Sequence, residues 1–217
     1  MNRRTLLVAT GAAALAVFGG GAWLYTATRP APPPPEPVAA GLPLIRDHAP
    51  ILGPADAPVT IVEFFDPACE SCRAFHPVVK RIMGDFPGKV RVVMRYAPFH
   101  GPSEEAVRIL EAARAQGLFE PVLEALYASQ DVWASHSGPR IDAAWQAARR
   151  AGIDQARANV DKMAPAVTAI LNQDRADLQT VGIRGTPTFF VEGKPLAEFS
   201  PKGLFDAVKA AVDAAGA

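Results

Sequence analysis

Val59-Thr-Ile-Val-Glu-Phe-Phe65 is a run of β-branched and aromatic residues with one acid inside it, bounded by Pro58 before and Asp66-Pro67 after. Such a run predicts a strand buried on both faces, which commits the chain to a layered arrangement with cover on each side. Cys69 to about Gly84 follows as a helix, with Phe75, Val78, Val79 and Ile82 at helical spacing and Pro77 expected to kink it. Lys89 to Tyr96 reads as a second strand. Strand, helix and strand make a βαβ unit, so the two strands are expected to run parallel.

The pattern turns helical from Ser103 to Val181. Apolar stripes are expected over 103–116, 118–129, 140–151, 153–162 and 164–180, separated by Gly, Pro or polar breaks. Thr188 to Val191 reads as a strand, Glu192-Gly193-Lys194 as a tight turn and Pro195 to Phe199 as a short returning strand. Ser200-Pro201 sets a capping residue before a proline at the first helical position of a last helix, to about Ala214. The expected class is α/β: a mixed central sheet with a helical block inserted between the βαβ unit and the hairpin.

The beginning of the chain reads differently. Met1-Asn2-Arg3-Arg4 precedes an uncharged run from Leu6 to Ala27, long enough to span a bilayer, with Trp23 and Tyr25 near its far end. Residues 1–28 are read as a signal sequence or signal anchor, the uncleaved anchor being preferred, with Sec and twin-arginine export both open. Residues 29–44 contain Pro30-Ala-Pro-Pro-Pro-Pro-Glu-Pro37, a stiff polyproline spacer between membrane and domain. Residues 45–217 form the folded domain. Basic and acidic residues balance at 22 each. Because Arg3, Arg4 and Arg29 fall in the leader and spacer, the domain is slightly acidic, and no nucleic-acid partner is expected.

The chain has two cysteines, Cys69 and Cys72. A disulfide between them closes almost no loop and stabilises little, so chemistry or metal binding is the better reason for the pair. Their place matters: a helix start offers unpaired amides and the positive end of a dipole, which stabilise a thiolate. Cys69 is expected to be the exposed nucleophile, and Cys72 lies nearly on the same helix face, where it can resolve a mixed disulfide. A zinc site needs about four ligands, and no second cysteine pair exists. Thr186-Pro187, just before a strand, is a place where a cis bond can sit in a tight turn, against the commoner trans form.

Phe64-Phe65-Asp66-Pro67-Ala68-Cys69-Glu70-Ser71-Cys72 together with Gly185-Thr186-Pro187-Thr188 resembles the DsbA-type branch of the thioredoxin superfamily, and the inserted helical block matches that branch. The similarity covers about residues 45–215. It implies a thioredoxin fold and a thiol–disulfide oxidoreductase, with Cys69 as attacking and leaving sulfur, Cys72 as resolving sulfur and Pro187 as a cis-proline facing the disulfide. Thr186 would then offer backbone hydrogen bonds to an extended substrate. The resemblance places Glu63 under the active site as a buried acid with a raised pKa, trading protons with Cys72; the alternative is a carboxylate touching solvent or a lysine. Where the strongest oxidants carry Pro-His between the cysteines, this chain carries Glu70-Ser71. The thiolate is therefore expected to be less stabilised and the disulfide less oxidising.

The implied partners are exported proteins with cysteines and a DsbB-like membrane redox partner. The implied setting is periplasmic, as a monomer tethered to the inner membrane by residues 6–27, with no cofactor. A thiol oxidase leads; a reductase or isomerase of the same fold follows, and a Cu(I)-binding module is a third reading. His76 is expected to be a partly exposed helix residue, with metal ligation as its alternative, and His100 a loop residue. Trp133, Trp145, Tyr127, Phe65 and Phe75 are expected in the core.

Overall fold

A computed structural model describes residues 41–216. The leader and most of the proline-rich segment lie outside the described residues, as does Ala217. Five strands form one mixed sheet in the order β1-β3-β2-β4-β5: β1 Ile51–Leu52, β2 Val59–Phe65, β3 Val90–Tyr96, β4 Thr188–Val191 and β5 Lys194–Pro195. β2 and β3 run parallel, joined by α1 (Glu70–Asp85), so the expected βαβ unit is present. β1 is antiparallel to β3, and β4 is antiparallel to β2 and β5.

Between β3 and β4 lie α2 (Ser103–Arg114), α3 (Phe119–Ala128), α4 (Gln130–Trp133), α5 (Ile141–Arg150), α6 (Gln155–Asp161) and α7 (Pro165–Val181). α8 (Pro201–Ala215) closes the chain. Asp154 caps α6 by accepting from the Arg157 amide at 3.1 Å, and Ser200 caps α8 by accepting from Gly203 N at 2.9 Å. α7 stops at Gly182, which adopts the left-handed conformation that glycine enters without a Cβ clash.

α1 runs through Pro77 as one helix. Two local expectations are corrected. The returning strand is Lys194–Pro195 rather than Pro195 to Phe199: after Leu196 N donates to Phe189 O the chain leaves the sheet, and residues 197–199 are exposed. Leu42 and Leu44, placed by sequence in the spacer, pack with the domain core.

β2 is buried except at half-buried Thr60, and its alternation assigns the two faces. Val62 and Phe64 pack with Leu44, Val93, Leu178 and Phe190. Ile61 and Phe65 join the main core with Val79, Ile82, Leu204 and the helical block. Glu63, between them in alternation, faces that same side. Trp133, Trp145, Tyr127, Phe65 and Phe75 are all buried, as expected.

A charged network ties the N-terminal segment to the sheet and α7. Arg95 is fully buried and gives Nε and Nη2 to Asp174 Oδ1 at 3.1 and 2.8 Å and Nη2 to Asp177 Oδ2 at 2.5 Å. Its Nη1 donates to the Pro43 and Leu44 carbonyls at 2.7 and 2.8 Å. Arg46 pairs with both Asp177 oxygens, and His48 Nε2 meets Asp174 Oδ1 at 2.7 Å. Burial opposes ionisation of Asp177; the Arg46 and Arg95 guanidiniums overcome it and hold its carboxyl down at about 2.

Candidate active site

The chain leaves β2 at Phe65, turns through Asp66-Pro67-Ala68, and enters α1 with Cys69 as the N-cap residue. An N-cap usually offers a side-chain oxygen to the free amides of the first turn. Here the capping side chain is a thiol. As a thiol it does not accept from the helix; its Sγ donates to the Thr186 carbonyl at 3.2 Å. Once ionised, the sulfur becomes the acceptor the helix start lacks. Donation from the Cys72 thiol pulls the Cys69 pKa down most, burial opposes it, and the Thr186 side chain and the Cys72 and Ser71 amides add to the pull, bringing it to about 5. Cys72 is pushed far the other way, first by burial, then by its bond to Cys69 and the nearby Glu63 charge. The two thiols, unbridged in this structure, are therefore inequivalent, as their positions predict.

Cys69 is less open than expected, 7% exposed against 0% for Cys72. The Thr186-Pro187 segment lies over it, and the peptide bond between those residues is cis. Glu63 is 2% exposed, which removes the reading of a solvent-touching carboxylate. Burial raises its pKa to about 8, with the Cys69 charge adding to the shift. β2 thus brings Glu63 under the cysteine pair, and the hairpin brings Thr186 and Pro187 over it.

Several residues that hold this site are not evident from sequence. Asp66, fully buried, accepts from Ala68 N at 2.8 Å, Phe99 N at 2.7 Å, His100 N at 3.0 Å, His100 Nδ1 at 2.8 Å and the Ser103 hydroxyl. Its own amide donates to Cys72 Sγ at 3.4 Å. One carboxylate thereby joins the redox turn to the loop after β3. Gln130, buried on α4, donates to the Pro67 and Cys69 carbonyls at 2.8 and 3.0 Å and pins the same turn to the helical block. His100 is on a loop, as expected, but that loop is part of the site. The available signal was an aspartate three residues before the first cysteine, at the end of an apolar run.

Glu70, expected to set a negative charge against the thiolate, meets His136 Nε2 at 2.8 Å. Its own helix-terminal amide and then His136 lower its pKa. A cleft of about 340 Å3, lined by Ala68, Glu70, Arg73, Gln130, Asp131 and His136, opens beside the first turn of α1. A larger hollow of about 590 Å3 lies by β5 and α8 and contains neither cysteine. His76 is buried rather than partly exposed, its ring 5.2 Å from that of Tyr127, and burial lowers its pKa. Among the described residues no three His, Cys, Asp or Glu side chains group as metal ligands.

The thioredoxin family model matches residues 46–213. The chain belongs to the thioredoxin family. This member carries six helices between β3 and β4 of its sheet. A solved thioredoxin-like oxidoreductase from Silicibacter pomeroyi is 35% identical, superposes with a TM-score of 0.66, and is matched over 77% of this chain and 94% of that one. Wolbachia pipientis alpha-DsbA1, at 19% identity, shares the fold with a TM-score of 0.70 over 80% of this chain and 96% of its own. Among curated relatives, an Na(+)/H(+) antiporter NhaA from Herminiimonas arsenicoxydans is 35% identical over 161 residues, which are 74% of this chain and 24% of that protein. The chain thus spans about a quarter of the length of such relatives.

Proposed function

We propose that this thioredoxin-family protein is an exported thiol–disulfide oxidoreductase that works as an oxidase on cysteines of exported proteins. The observation that carries the reading is Cys69 at the cap of α1, with Cys72 buried beside it and the Thr186-Pro187 segment opposite. Glu63, the two cysteines, Thr186 and Pro187 are its working residues. A client thiolate attacks Cys69 Sγ of the Cys69–Cys72 disulfide; that bond breaks, and its electron pair leaves on Cys72, which takes a proton. A second client thiolate then attacks the client sulfur of the mixed disulfide, and Cys69 leaves as a thiolate. The client gains one disulfide and the protein holds the two electrons, to be passed to a membrane redox partner.

The leaving group supports this direction. A Cys69 pKa of about 5 makes it a good leaving thiolate and stabilises the reduced form, which renders the disulfide oxidising. A reductase or isomerase would use the same atoms in reverse. The apolar run Leu6 to Ala27 supports the tethered, extracytoplasmic setting, although it lies outside the described residues. No helix among the described residues is long and apolar enough to cross a membrane. Because the chain spans about a quarter of the antiporter it matches, ion antiport is not carried over to it.

Three measurements test the proposal. Cys72→Ala is expected to trap mixed disulfides between Cys69 and exported clients, and thiol trapping in intact cells is expected to find the wild-type pair mostly oxidised. The absorbance of the Cys69 thiolate in Cys72→Ser should titrate below the ordinary cysteine value of about 8.5. In Cys72→Ala it should titrate above the wild-type midpoint, because the Cys72 donor is removed. A Cys69 that ionises like free cysteine and traps no client would remove the physical basis of the activity.

A further inference from the structure

Four imidazole-bearing or acidic side chains outside the cysteine pair converge on the mouth of the site. His100 gives Nδ1 to Asp66 Oδ2 at 2.8 Å, and Asp66 in turn touches Cys72 through its amide at 3.4 Å. The His100 ring lies 6.5 Å from that of His136, and His136 holds Glu70, the residue after Cys69, at 2.8 Å. His100 therefore bonds the turn that leads into Cys69, and its ring neighbours the one that holds Glu70, the residue after Cys69. The groups facing it are Asp66 from the turn after β2, Cys69 and Glu70 at the start of α1, and His136 from the loop after α4.

We propose that His100, brought from the loop after β3 and held by Asp66, supplies the positive charge beside the Cys69 thiolate that the Glu70-Ser71 dipeptide lacks. With Nδ1–H committed to the carboxylate, the second proton enters at Nε2 and the ring becomes an imidazolium. Burial alone would lower the ring's pKa; the Asp66 hydrogen bond and charge overcome it, and the Cys69 and Glu70 charges add to the rise. His136 is the poorer candidate for this role. Its side chain is 75% exposed, where water screens its field, against 34% for His100. Asp66 does not cancel the effect, because it is present in either state of the ring, and protonating His100 still adds one positive charge at the mouth of the site. His100 is thus an electrostatic partner of Cys69 that arrives through the fold instead of through the motif.

The inference rests on Cys69 being the low-pKa sulfur, but its test needs no client. Coupling between two titrating groups is reciprocal. In wild-type protein the His100 ring, followed by NMR, should titrate at higher pH in the dithiol form than in the disulfide form. The expected difference is on the order of one pH unit, tenfold in the ionisation constant, because oxidation removes the thiolate. In His100→Gln, whose amide can still donate to Asp66, the Cys69 midpoint should rise by a similar amount. The reduced form should then lose about tenfold in its equilibrium with a glutathione buffer. His136→Gln should move the Cys69 midpoint by less than His100→Gln does. Equal His100 midpoints in the two redox states would overturn the proposal, as would a Cys69 midpoint unmoved in a folded His100→Gln. Failure to trap clients would count against the oxidase reading while leaving this coupling intact.

Discussion

Asp174→Ala is expected to destabilise the domain by about 3–5 kcal/mol, the loss typical when one partner of a buried ion pair is removed. Asp174 is 1% exposed and serves Arg95 Nε and Nη2 through Oδ1, His48 through the same oxygen, and the Tyr96 amide through Oδ2 at 2.8 Å. Alanine leaves a fully buried guanidinium with one carboxylate in place of two and a sheet amide without its acceptor. Both groups keep their desolvation cost and lose their compensation. For a domain of this size the loss corresponds to a melting point lower by roughly 10 °C. Equilibrium urea unfolding measures it directly, and a loss within about 1 kcal/mol of zero would mean that water reaches Arg95. Acid should attack the same network. The depressed Asp177 contributes stability that is present above its unfolded value near 3.8 and is lost as pH falls through about 2.

Glu63→Gln is expected to change two quantities that a merely structural residue would not change together. With its pKa raised to about 8, wild-type Glu63 favours the fold below its unfolded value of about 4.5. That contribution is lost as pH rises through about 8. Between those limits it weakens the protein by on the order of a few kcal/mol, and glutamine removes that slope. The comparison belongs in the disulfide form. In the dithiol form Cys69 has the opposite slope, contributing stability as pH rises from about 5 towards 9. The second quantity is a rate. To release a trapped client in the escape direction, Cys72 attacks Cys69 of the mixed disulfide, the client leaves as a thiolate, and the Cys72 proton must go somewhere. Cys72 ionises far too weakly alone, and the Glu63 carboxylate faces the same side of β2. Loss of that base should slow the release about a hundredfold near pH 7. A stability profile equally steep in wild type and variant, with an unchanged release rate, would return Glu63 to a passive core position.

The parts legible in sequence are those whose causes are local. The apolar run of β2, the helix that starts at the cysteines, the order of strand and helix, the Ser200-Pro201 start of α8 and the aromatic core positions all follow from neighbours a few residues apart. The site's supports depend on contacts that no short window contains. Arg46 and Asp177 are separated by 131 positions, Arg95 and Asp174 by 79, and Gln130 reaches back 63 to Pro67. Asp66 read as the end of a strand and His100 as a loop residue, because each has meaning only through the other. Glu70 invited an inference from charge alone that its pairing with His136 revises. The length of β5 was overread for the reverse reason: Leu196 to Phe199 has the look of a continuing strand, but Lys194-Pro195 leads the chain off the sheet after one further hydrogen bond.

That early departure has a bearing on what the molecule can safely touch. Both borders of the sheet are two-residue strands, Ile51–Leu52 on one side and Lys194–Pro195 on the other, and the second combines a lysine with a residue that has no amide hydrogen. An unfolded polypeptide in search of a partner strand finds at either border a ladder too short to climb, and at one of them a missing rung. Under the proposed function, unfolded clients then meet the protein at a single sulfur, and its sheet borders give them nothing on which to aggregate.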